Sequence, residues 1–165
     1  MWISPHAEEF FGCLAPLLAS KEVNAMRQWR HHFSVTCYEH SLFVAYMAYR
    51  IAQRFGWDCR AAARAGLLPA LYLFAPAEPN AHPGNQCLDH PVFALRNAQA
   101  LCPDLSEGEA NAIVSHMFPL AVHLPRSRVA IAVNLADKLC ATIEVAQLYR
   151  IIPLRRRLMA RVGCC

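Results

Sequence analysis

The sequence predicts an all-α fold, a single-domain helical bundle. Three observations carry this. Apolar residues recur at helical spacing almost everywhere, no alternating run long enough for a strand stands out, and the short connections favour antiparallel packing of neighbours. At 165 residues the chain is the size of one domain, and with 56% hydrophobic against 17% charged residues it is built to bury a core, which excludes a disordered chain.

Taken in order, the periodic segments are residues 6–19, 21–30, 38–55, 58–68, 91–101, 106–117 and 126–149. The third closes at Gly56, a residue suited to a helix end, and Asp58 can cap the N-terminus of the fourth, "CRAAARAG". Just past the fourth segment, Pro69 would remove an amide donor and clash with the carbonyl of Ala65 within a helix, so the helix should end or kink there. Residues 75–89, "APAEPNAHPGNQCLD", form the one long irregular stretch, of the kind that serves as a lid or binding loop. Ser106 and Glu109 make a capping box that opens the sixth segment.

The longest stretch of the first half without a charge, Ala65 to Ala77, is broken by two prolines and falls short of the ~20 apolar residues a bilayer span needs, so no membrane span is expected. The N-terminal "MWISPHAEEFF" lacks a basic region followed by an apolar one, which leaves a cytoplasmic location as the expectation. None of the 8 cysteines forms a C-x-x-C pair, and several fall on apolar helical faces, so they read as reduced core residues, with Cys164 and Cys165 as exposed thiols outside any prenylation box. The net charge of +4 is uneven: Arg150, Arg155, Arg156, Arg157 and Arg161 leave residues 1–149 with 11 basic against 12 acidic groups. The domain is therefore placed at 1–149 and a basic tail at 150–165, read as a solvated helix end; nucleic acid is not an expected partner.

Four polar residues sit where helices should be apolar. His40 is followed on its helical face by Phe43, Val44, Met47 and Ile51; Asp137 has Val133 before it and Cys140 and Ala141 after it. His116 ends "ANAIVSHMF", and His90 precedes "PVFALRNA". Each alone reads as a core or capping residue, but widely spaced histidines and an aspartate meeting in a bundle core are how helical proteins build metal sites. An unpaired buried Asp137 would cost several kcal/mol, so it should find a partner such as His40 or ordered water.

The stretches "HHFSVTCYEHSLFVAYMAYRIAQRFGWD", "RAAARAGLLPALYLF", "DHPVFALRNAQ", "IVSHMFPL" and "NLADKLC", spanning about residues 25–145, resemble the HD superfamily of metal-dependent phosphohydrolases, especially small bacterial HD proteins. In that family a first His, an adjacent His-Asp pair, two further His and a final Asp hold one or two metal ions that bind a phosphate and activate a water. The resemblance places His40, His90, His116 and Asp137 among these ligands. The His-Asp pair falls on Pro69 and Ala70 and is missing. It further suggests His32, Glu39 and Lys138 as phosphate contacts or supports of the ligands, with solvated or capping roles as the alternative.

One carboxylate and three imidazoles cannot offset two neighbouring dications, so no metal pair is expected; a single divalent transition metal on His40, His90, His116 and Asp137 is chemically allowed. The resemblance thus implies a degenerate HD-domain protein, a pseudoenzyme without phosphohydrolase activity, binding a small phosphorylated ligand or a protein partner through the old pocket. Two alternatives stand beside it: a phosphohydrolase that works with an unusual metal set, and a small helical interaction protein. No glycine-rich phosphate loop is present, and Cys37, three residues before His40, carries no further nucleophile signature.

Overall fold

Short polar side chains decide where the helices of this bundle start. In the computed structural model, which describes residues 6–74, 86–148 and 154–163, the α-helices are α1 (His6–Leu18), α2 (Lys21–Ala25), α3 (Cys37–Phe55), α4 (Cys59–Leu67), α5 (Gln86–Leu101), α6 (Glu107–Ser115), α7 (Arg128–Val145) and α8 (Leu154–Val162). Ser20, Asp58 and Ser127 accept the third amide of α2, α4 and α7 respectively. Both α3 and α6 open with complete capping boxes, Thr36 with Glu39 and Ser106 with Glu109. Gly56 ends α3 at φ 65°, in the left-handed region where a side chain is disfavoured.

The fold is all-α apart from one small hairpin. α3 is its axis, buried along most of its length and packed against α4 on one side and α7 on the other. Its approach to α4 is as close as backbones allow: a Cβ at Gly66 would lie 2.7 Å from Ala45 Cα, and alanines fill much of both faces. α1, α5 and α6 close the remaining sides of α4 and of the segment that follows it.

The structure corrects the sequence expectation at two helices, those expected over 21–30 and 91–101. The segment expected as one helix over 21–30 is α2 followed by a 3-10 turn at Met26–Gln28, after which Arg30–His32 (β1) pairs antiparallel with Val35–Thr36 (β2). Strands of three and two residues are too short to show alternation, and Phe33 at φ 51° turns the chain between them. In keeping with the expected break at Pro69, α4 stops at Leu67 and the chain tightens into a 3-10 helix over Leu68–Phe74, because Pro69 has no amide to continue the α pattern. α5 begins at Gln86 rather than 91, so His90 is helical and Pro91 lies in the second turn. The expected lid or binding loop at 75–89 lies outside the described residues except for its last four, which belong to α5. In the tail, α8 turns Leu158 into the core against α3 while Arg156, Arg157 and Arg161 remain exposed. Among the described residues no helix is long and apolar enough to cross a membrane.

Candidate functional site

A cavity of about 400 Å³ opens where α3, the 3-10 segment, α5, α6, α7 and the hairpin meet. His40, Pro69, Ala70, His90, His116, Asp137, Lys138 and His32 all line it, joined by His31 and Tyr72. Residues scattered over a hundred positions of sequence therefore share one enclosure. Glu39 does not: it is absent from the cavity wall, and its carboxylate accepts from Thr36 N at 2.8 Å and from Thr36 Oγ1 at 3.2 Å in the cap of α3.

The most constrained group is His40. Its Nδ1 lies 2.9 Å and 3.1 Å from the two carboxylate oxygens of Glu144, and its Nε2 lies 3.3 Å from Asp137 Oδ1. An imidazole facing a carboxylate on each nitrogen donates from both, which makes it an imidazolium. Burial opposes that charge, yet the hydrogen bonds to Asp137 and Glu144 outweigh it and raise the His40 pKa to about 9. For Asp137, burial likewise opposes ionisation, and the hydrogen bond from His40 overcomes it and holds the carboxyl well below its ordinary range. Asp137 and Glu144 stand two turns apart on one face of α7, which is why a single ring on α3 meets both.

A second histidine pair lies across the cavity. His116 Nδ1 donates to Ile113 O at 2.7 Å, which leaves its Nε2 to accept from His90 Nε2 at 3.0 Å. Burial drives the His116 pKa down to about 4, so the ring is neutral at pH 7. The C-terminal end of α6 that carries it is held from α7. Asn134 Nδ2 reaches the carbonyls of His116 and Phe118 at 2.9 Å and 2.8 Å, and Lys138 Nζ donates to His116 O at 2.7 Å. Lys138 also lies 3.4 Å from Asp137 Oδ2 and keeps about a third of its side chain in water.

His31 is exposed as a residue, but its ring lies against that of His40, tilted by 34° with 4.0 Å between centroids. Withdrawal from water and the positive charge of His40 push its pKa far down, so it too is neutral. Cys37 is buried at the start of α3, and burial raises its thiol to about 11, which leaves it protonated and unsuited to nucleophilic attack.

Among the described residues the cavity wall carries one carboxylate, Asp137, which is bound to a cationic His40, and Pro69 and Ala70 add no donor side chain to it. Ligand atoms of His31, His40 and Glu144 lie within 4.8 Å of one another and could surround one ion, in competition with the proton on His40. No family model, curated protein or solved structure matches the chain.

Sequence reasoning passes over Glu144, His31 and Asn134. A signal existed for the first: it follows Asp137 by seven residues in an apolar helix, the spacing of two turns on one face. His31 gives none, because its position depends on a hairpin too short to recognise.

Proposed function

We propose that this chain is a degenerate HD-type domain whose cavity binds a small phosphorylated ligand without hydrolysing it through a metal pair. One observation carries the proposal: the six positions of the resemblance line a single cavity, and the two that would supply the bridging pair, Pro69 and Ala70, present only apolar surface there. In place of metal charge, the protein's own His40 holds one positive charge between Asp137 and Glu144, and Lys138 lies 3.4 Å from Asp137. Lys138 at the rim offers a charged donor to a phosphate, and Val44, Ala70 and Tyr72 offer apolar surface to the group that bears it.

The test restores the missing pair. Pro69→His with Ala70→Asp completes the ligand set, so added Mn²⁺ should raise the melting temperature of the double variant far more than that of the parent, by preferential binding to the folded state. A well-folded double variant that binds no metal would mean that His40, His90, His116 and Asp137 do not converge as an HD site. For the parent, nucleoside monophosphates and inorganic phosphate should shift the melting temperature while turnover stays at background.

A second reading, a phosphohydrolase using one ion, is favoured by the ligand atoms of His31, His40 and Glu144, which lie within 4.8 Å of one another. One equivalent of metal in protein purified without chelators, with turnover lost in His40→Ala, would establish it over the first.

A further inference from the structure

A second cavity, of about 630 Å³, lies between α1, the C-terminal half of α3, and α8, apart from the histidine-lined cavity at the other half of α3. Its composition is lopsided. The wall is apolar, with Phe11 from α1, Met47 from α3 and Leu154 and Leu158 from α8, while the charged groups at its edge are Arg50, Arg157 and Arg161, with no carboxylate among them. Leu154, Arg157, Leu158 and Arg161 recur at the helical spacing of one face, so α8 turns both its leucines and two of its arginines to the same cavity. Three guanidinium groups thus line this cavity, enough positive charge to favour an anion there. Among the described residues none of the three forms an ion pair, and Arg50 has one side-chain bond, to the Tyr46 hydroxyl at 3.0 Å.

We propose that this cavity binds a single-chain anionic amphiphile, the chain lying against Phe11, Met47, Leu154 and Leu158 and the carboxylate or phosphate head meeting Arg50, Arg157 and Arg161. The volume lies in the range of small-molecule sites, about 300–1,000 Å³, and guanidinium groups bind such heads through paired N–H donors. A nucleotide fits less well. Apart from the arginines the polar side chains of the wall are only Tyr46 and His6, few groups to read a base edge on an otherwise apolar wall. The proposal is independent of the function proposed for the histidine cavity, whose residues it does not use.

Calorimetric titration of the full chain with dodecanoate, dodecyl phosphate, 1-dodecanol and AMP, below micelle formation, tests it. One equivalent of dodecanoate or dodecyl phosphate should bind, the tighter of the two identifying the head. The paired change Arg157→Glu with Arg161→Glu, at exposed positions where folding is not at stake, should weaken the anions by about tenfold or more and leave dodecanol nearly unchanged. Arg157→Lys with Arg161→Lys should keep most of the affinity. Equal binding of dodecanol and dodecanoate, indifference to the charge reversal, or tighter binding of AMP would each overturn the proposal. So would binding only to phosphatidylglycerol vesicles, which would make the arginines a membrane contact.

Discussion

Arg64 on α4 and His40 on α3 are each held between two carboxylates, yet the two arrangements do different work. Arg64 makes a two-pronged pair with Asp104, both bonds 2.9 Å, and brings Nε within 3.2 Å of Glu109 Oε1. The other oxygen of Glu109 closes the capping box of α6, so one guanidinium ties α4 to the start of α6. Its charge is permanent, and Asp104 stands mostly in water, with 68% of its side chain exposed. His40 has both carboxylates largely buried, at 13% and 1% exposure for Asp137 and Glu144, and carries a proton that can leave. The same charge arithmetic therefore yields a fixed staple in one place and, at the wall of a cavity, a cluster whose charge depends on pH and on whatever enters.

The largest expected effect separates the two by burial. Glu144→Gln leaves a buried His40 cation short of its better partner and should lower stability by about 3 kcal/mol at pH 7, measured by denaturant unfolding. Asp104→Asn should lose far less, because water replaces what it gives up. Equal losses would erase the distinction.

The second effect separates them by titration. The His40 pKa stands at about 9 in the folded protein, above its ordinary 6.5, so its contribution is complete below pH 6.5 and is lost as pH rises through 9. The stability gap between the parent and Asp137→Asn should thus narrow from pH 6.5 to 9.5, whereas the gap for Asp104→Asn should stay level, since Arg64 keeps its charge throughout. A level gap for Asp137 would remove the ion pair as its source of stability. The smallest effect is at the rim: Lys138→Met should change stability by no more than about 0.5 kcal/mol, since its contact with Asp137 is long and partly solvated. A larger loss would make Lys138 a structural member of the cluster through its bond to His116 O.

The helix ends at Gly56, Asp58 and Ser106 are legible because each rests on groups within four residues along the chain. Thr36 and Glu39 have the same form as Ser106 and Glu109, and of the roles the sequence leaves open for Glu39, phosphate contact or cap, the fold uses the cap. The inward face of His40 is legible from its apolar neighbours, as is the need of Asp137 for a partner. That the partner is His40, and that Glu144 shares it, involves residues 97 and 104 positions apart.

By itself, then, the sequence determines the helical class, most helix termini, and which polar side chains face inward, because these follow from periodicity and from hydrogen bonds that close within a turn or two. Tertiary structure alone decides the short hairpin that lays His31 on His40, the pairing of His90 with His116, the two-sided clamp on His40, and the docking of α8 that gathers Arg50, Arg157 and Arg161 around one cavity. Those contacts depend on how α3 meets α4, α7 and α8 in space, and that geometry is set by close packing such as Gly66 against Ala45, which no local pattern encodes.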